Sequence, residues 1–173
     1  MRSSQQVKQI QAISEKQETK GKTLMKMGGL MAAAGAARVA LQWFPFLEPV
    51  TSATLLAGTL WGKKKGMAFG AMLMFLSNFA VIGGNGPWTL FQCIGMAMVG
   101  QIGSKVLVTS RRGAVAAAAM GTAVYDIITN MMWIAIAGPA VIISGLPIFA
   151  LHLLTNAGMA LALPKAAEKL SRS

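Results

Sequence analysis

Cysteine, histidine and acidic residues are scarce in this chain. Among 173 residues there are one cysteine, one histidine and five Asp or Glu. The lone Cys93 sits inside an apolar stretch, which excludes a disulfide framework and a cysteine metal site. With His152 as the only histidine there is no His/Cys/Asp cluster at metal spacing and no HExxH, so no bound metal is expected. No Ser/His/Asp set stands out. No Walker motif is present, so ATP hydrolysis is not expected of this chain. The run Gly83-Gly84-Asn85-Gly86 is not followed by Lys-Ser/Thr and does not form a phosphate loop. Two carboxylates, Glu48 and Asp126, are available for acid–base chemistry, but nothing in the sequence positions them for it. These absences argue against an enzyme.

The chain is 54% hydrophobic and only 12% charged. That suits one helical bundle and leaves no room for a second domain. Long apolar stretches run over Leu24–Phe44, Val50–Trp61, Met67–Ile82, Trp88–Val108, Ala114–Ile136 and Leu146–Leu163. Lys and Arg are absent from the first, third and fifth connections between them. They fill the N-terminal segment (Arg2, Lys8, Lys16, Lys20, Lys22, Lys26), the second connection (Lys63, Lys64, Lys65), the fourth (Lys105, Arg111, Arg112) and the C-terminal segment (Lys165, Lys169, Arg172). Basic loop residues accumulate on the cytoplasmic face. The expected fold is therefore an all-α membrane protein: six transmembrane helices in one compact bundle, with both termini cytoplasmic. The net charge of +11 is explained by anionic inner-leaflet lipid, and no nucleic-acid partner is expected.

Residues 1–23 read as a polar cytoplasmic tail, with a surface-lying amphipathic helix as one form for it. They are too polar for a secretory signal, which carries its apolar run nearer the start. Residues 24–164 form the six-helix transmembrane domain, and 165–173 a short basic tail. The second stretch is too short to cross ~30 Å of hydrocarbon as a straight helix. It must be distorted, or its polar start, Glu48 to Ser52, must be sheltered inside protein. The fifth connection, with Gly138-Pro139 and Gly145-Leu146-Pro147, reads as a short lid on the outer surface.

This topology gives each polar residue a depth. Arg38 stands ~21 Å above the inner edge, Asn78 ~17 Å and Asp126 ~18 Å, at 1.5 Å per helical residue. Gln92, His152 and Asn156 lie near the outer ends of their spans, and Glu48 lies in an outer connection. Strongly polar side chains thus gather in the outer half or near the midplane. Intramembrane ionisable residues are costly and usually face a cavity or a partner. A pocket open to the outside follows. Thr122, Asp126 and Asn130 share one face of the fifth span, and His152 and Asn156 one face of the sixth. Trp43, Phe44, Phe46, Trp88, Phe91, Tyr125 and Trp133 fall at the same level. An apolar pocket with a few convergent polar groups is the usual form of a small-molecule site.

The residues also carry a family resemblance. Arg38 follows a small-residue helix. Then come Trp43-Phe44-Pro45-Phe46-Leu47-Glu48-Pro49-Val50, Leu56-Ala57-Gly58-Thr59-Leu60-Trp61-Gly62, Gly66 and Gly70. Gly86-Pro87-Trp88-Thr89-Leu90-Phe91-Gln92, Gly121 and Tyr125-Asp126-Ile127-Ile128-Thr129-Asn130 complete the order. This resembles the substrate-binding S component of an energy-coupling factor (ECF) vitamin transporter, over roughly residues 25–163.

The resemblance implies a prokaryotic multi-pass protein of the cell membrane that captures a vitamin outside. It would dock on a membrane T component that carries two ABC ATPase subunits. ATP and Mg would be used by those partners, and no cofactor would be held by this chain. The docking face would be Ala32, Ala33, Ala36 and Ala37. Trp43, Phe46, Trp88 and Tyr125 would enclose the vitamin. Glu48, Asn85, Gln92, Asp126, Asn130 and Asn156 would hydrogen-bond it, with Asn78 and His152 in the same site. Arg38 would balance Asp126 or hold a ligand acid group. The Gly-Pro-Trp-Thr and Gln92 pattern is most similar to S components for cobalamin or its precursors; pantothenate and queuosine stay open. So do a stand-alone carrier or channel for a small organic solute, and a structural membrane protein without a ligand.

Overall fold

Six α-helices and no strand form among the described residues of the computed structural model, which covers 20–44, 46–106 and 108–172. Expectations for residues 1–19 lie outside that range. The helices are α1 (Lys20–Ala40), α2 (Pro49–Asn78), α3 (Trp88–Gly103), α4 (Arg111–Ala137), α5 (Ala140–Ala160) and α6 (Leu163–Arg172). The chain reverses within α2. Gly62 adopts φ 80° and ψ 176°, a backbone state that glycine enters without a Cβ clash. Its two arms, 49–61 and 63–78, fold back on each other, so that Gly66 faces Gly58 and Gly70 faces Thr54. The second and third apolar stretches are these two arms. Lys63, Lys64 and Lys65 begin the returning arm rather than forming a loop.

The first arm is the centre of the bundle. Val50, Thr51, Leu55, Leu56, Ala57 and Leu60 are buried. Its polar start is enclosed by protein, with Glu48 and Thr51 buried. Glycine makes the enclosure tight. A Cβ on Gly58 or Gly100 would collide with the backbone of a neighbouring helix, and one on Gly66 would stand 2.5 Å from the Gly58 Cα. Small residues allow helices to approach this closely. Thr59 Oγ1 donates to the Gly103 carbonyl at 2.8 Å, tying the first arm to α3 at the same level. Around the arm lie Phe69, Leu73 and Met74 of the second arm, Met96 and Val99 of α3, and Ala114, Ala117 and Ala118 of α4.

Helix α4 starts at Ser110, whose Oγ accepts from the Gly113 N–H at 3.1 Å, a capping role for which serine is favoured. It ends where Gly138 takes φ 79°. Helix α5 begins directly after Pro139, with Pro147 inside it. The expected outer lid is therefore absent, and the fifth connection is only Gly138-Pro139. The run from Ala140 to Gly145 is apolar and brings few side-chain partners for its backbone groups, so helix is its economical form. Pro147 costs it one hydrogen bond. The segment expected as a C-terminal tail is also helical. Leu163 and Ala167 of α6 are buried, Ala166 and Leu170 pack beside them, and Lys26 Nζ donates to the Leu170 carbonyl at 3.0 Å.

Two of the helices, Arg111–Ala137 and Ala140–Ala160, are long and apolar enough to cross a membrane. Among the described residues, Lys and Arg other than Arg38 gather at one end of the bundle. Lys63, Lys64 and Lys65 follow the Gly62 reversal, Lys105, Arg111 and Arg112 flank the connection from α3 to α4, and α6 lies against Thr59, Leu60 and Thr109.

Gly100→Ala should lower stability by about 1–3 kcal/mol, the usual cost of overpacking. Gly28→Ala, which has open space around the new methyl, should leave it unchanged or raise it slightly. Thermal unfolding of the two variants in detergent checks the contrast.

Candidate functional site

At the end opposite the basic residues, the helices enclose an open cavity of about 440 Å³. Six segments build it: the end of α1, the connection from α1 to α2, the turn after α2, the start of α3, and the facing halves of α4 and α5. Of the residues expected in the site, Arg38, Glu48, Gln92, Tyr125, Asp126, Asn130 and His152 line it. They come from helices far apart in sequence and meet only because the bundle is antiparallel.

Two polar networks form the wall. In the first, Arg38 Nη1 donates to Ser77 Oγ at 2.7 Å and to Asn78 Oδ1 at 2.6 Å. Its Nε lies 3.6 Å from Glu48 Oε1. Asn78 Nδ2 then donates to Gln92 Oε1 at 2.9 Å and to Thr89 Oγ1 at 3.3 Å. One guanidinium thus links α1, both ends of α2 and, through Asn78, α3. Burial pushes the Glu48 carboxyl above its ordinary pKa, while the Arg38 guanidinium pulls it back. In the second network, His152 Nδ1 stands 3.3 Å from both Asp126 carboxylate oxygens. One turn deeper, Asn156 Nδ2 donates to Thr122 Oγ1 at 2.8 Å. Thr155 Oγ1 donates to the Phe46 carbonyl and so anchors the first connection to α5.

The rest of the wall is mostly apolar, part aromatic and part aliphatic. The Tyr125 ring meets His152 edge-on, with centroids 6.3 Å apart. Trp133 lines the cavity and is backed by Trp88, stacked at 6.3 Å and 13°. Phe44 and Phe149 add two more rings, and Leu41, Leu47, Val81, Ile82 and Ile148 add aliphatic surface.

Several expected residues do not reach the cavity. Trp43 is 74% exposed; the turn after Ala40 rotates it away from the bundle. Phe46 packs against Phe44 with its ring centroid 6.2 Å away and contributes its carbonyl instead. Asn78 and Asn156 are buried behind the wall, where they bond to neighbouring side chains. Asn85 and Trp88 belong to a turn braced largely by its own hydrogen bonds. Thr89 Oγ1 accepts from the Gly86 N–H at 3.0 Å and donates to Asn85 Oδ1 at 3.3 Å. Trp88 Nε1 donates to the Gly84 carbonyl at 3.3 Å, and its ring fills the space beside Gly86. The Gly-Pro-Trp-Thr motif is thus a structural turn that positions Gln92 and backs Trp133. Arg38 does not balance Asp126. It faces Glu48, and His152 takes Asp126.

Gln42, Thr129, Ile148 and Phe149 line the cavity without having been singled out. The signal for two of them was present. Gly145, Ile148, Phe149 and His152 stand at i, i+3, i+4 and i+7, one face of a helix, but reading the preceding segment as a lid hid it. Gln42 was not legible, because it acts through a loop contact: its Oε1 accepts from the Ile82 N–H at 2.9 Å.

Arg38→Met should cost about 3 kcal/mol, because it leaves the enclosed Glu48 carboxylate and Asn78 amide without their partner. Asn130→Ala should cost under about 1 kcal/mol, since the Asn130 amide bonds only to its own helix, at the Asp126 carbonyl. Unfolding midpoints of the two variants distinguish a wall residue that holds the fold from one that does not.

No protein-family model, no curated protein and no solved structure matches this chain.

Proposed function

We propose that this chain spans a membrane six times, with its basic end inside, and serves as the solute-capturing S component of an ECF-type importer. The observation that carries this reading is polarity of ends: a polar, aromatic-walled cavity at one end of a helical bundle, and clustered Lys and Arg at the other. The six membrane-crossing segments are α1, the two arms of α2, α3, α4 and α5. Large apolar side chains stand outward around them, among them Phe79, Ile127, Ile143 and Leu154, at 65–74% exposure. An apolar perimeter of that extent needs a partner surface, and lipid supplies it. The amphipathic α6 would lie along the inner face.

The cavity faces outward in this arrangement and would take solute from outside. Its volume suits a compact organic molecule. An intact corrinoid would sit partly outside it, so the cavity favours a smaller vitamin or precursor over cobalamin itself. The docking face for a T component would be α1. Gly28, Gly29, Ala32, Ala33, Ala36 and Ala40 are exposed there, and Ala32 and Ala36 line a shallow apolar groove beside Leu76 and Ala80. Ala37 is half-buried and takes a lesser part. ATP and Mg would act in the two partner ATPases.

Ala36→Trp should leave solute binding to the isolated chain unchanged and abolish ATP-driven uptake in proteoliposomes holding the T component and both ATPases. Uptake that persists without the ATPases would overturn the reading and leave a stand-alone carrier.

A further inference from the structure

Beside the polar cavity lies an apolar cleft of about 280 Å³ between α4 and α5. Ile127, Met131 and Ile134 form its α4 side, and Ile142, Leu146 and Phe149 its α5 side. Both sets fall at i, i+4 and i+7, so the cleft follows the seam between the two helices. Four residues border the cavity and the cleft alike: Asp126, Asn130, Gly145 and Phe149.

Gly145 marks the junction. Its backbone is ordinary helix, since it is not one of the glycines with positive φ. A Cβ built there would meet nothing within 4 Å, so no close helix contact calls for glycine either. Glycine weakens a helix interior relative to alanine. What the missing side chain provides is open space where the cavity and the cleft adjoin.

The border also narrows the choice of occupant. Ile127, Met131, Ile142 and Leu146 are exposed, so hydrocarbon suits the cleft itself. The Asp126 carboxylate and the Asn130 amide stand at its edge. A purely hydrocarbon occupant would bring nothing to them, and covering polar groups without new bonds costs free energy. A molecule with a polar end in the cavity and an apolar arm in the cleft matches both surfaces.

We propose that the cavity and the cleft form one bent site, and that its solute is amphipathic, with a polar head in the cavity and a short apolar arm that passes Gly145 into the cleft. The inference rests on reading the cavity as the solute-capture site.

The test is calorimetry on the purified full chain in detergent, with pairs of probes that share a head and differ in an arm. Adenine is paired with isopentenyladenine, and nicotinamide with N-butylnicotinamide. In at least one pair the armed member should bind one-to-one, and about tenfold or more tighter than the armless one. Ile142→Trp fills the cleft from a position that does not line the polar cavity. It should bring the two members of that pair to within about threefold of each other, and Gly145→Leu should do the same at the junction. A general loss of folding would weaken both members alike and keep their ratio. Silence from every probe, equal affinities within both pairs, or an arm preference that survives in both variants would overturn the proposal. So would a phospholipid held by the unmodified chain and lost from Ile142→Trp in native mass spectrometry, which would give the cleft to lipid. The importer reading fails separately. Arm-dependent binding without partner-dependent uptake removes that reading and leaves this one; ATP-driven uptake with no preference for an arm does the reverse.

Discussion

At one end of the bundle three helical segments meet backbone to backbone. Gly58 and Gly66 face each other across the hairpin of α2, and Gly100 of α3 closes on both. No side chain stands between them, so the approach is set by main-chain atoms alone. This contact holds the first arm of α2 at the centre, where its apolar residues are buried on every side. At the opposite end the same helices are separated by large side chains. Gly95, for example, takes Tyr125 against it, where an added Cβ would lie 2.8 Å from the ring. Glycine at one end and aromatic rings at the other set how far apart the helices stand, and the cavity that Arg38, Asp126 and His152 line lies at the aromatic end.

Enclosing the first arm forces its polar start into the bundle, and the molecule resolves this through one arginine. Glu48 enters a buried position because Arg38 stands opposite, and Arg38 is itself held by Ser77 and Asn78. These bonds are short and mostly enclosed, conditions under which hydrogen bonds and charges count for more than they do in water. Asn78 is fully used: its oxygen accepts from Arg38 and its nitrogen donates to Gln92 and Thr89. The network is structural where it is complete. It is incomplete at Glu48 Oε1, His152 Nε2 and Asn156 Oδ1, which are buried without a hydrogen-bond partner.

The proposed membrane setting gives the remaining surface a consistent meaning. Outward-facing Ile, Leu, Phe and Met side chains on α2, α4 and α5 would meet acyl chains, while Lys and Arg at the glycine-packed end would meet inner headgroups. The smooth face of α1 is the exception, with alanine and glycine in place of large apolar residues. A surface of that kind allows another helix to approach closely and slide.

Much of this was legible in the sequence. The six apolar stretches appear as α1, the two arms of α2, α3, α4 and α5, and the level of Arg38, Glu48, Gln92, Asp126 and His152 follows from composition and helical rise. These are local properties, fixed by neighbours in the chain. Direction was not legible. Trp43 lies at the right level and points away; Asn156 lies on the right helix and sits behind the wall. Arg38 and Asp126 have opposite charges at similar depth, yet each pairs with another residue. Such outcomes depend on how each helix is rotated about its axis and where each connection turns. Both are set by contacts between residues distant in sequence. Composition and period therefore determined the elements and the end at which polar groups gather. Only the glycine-driven packing of the tertiary structure decided which of those groups face the cavity.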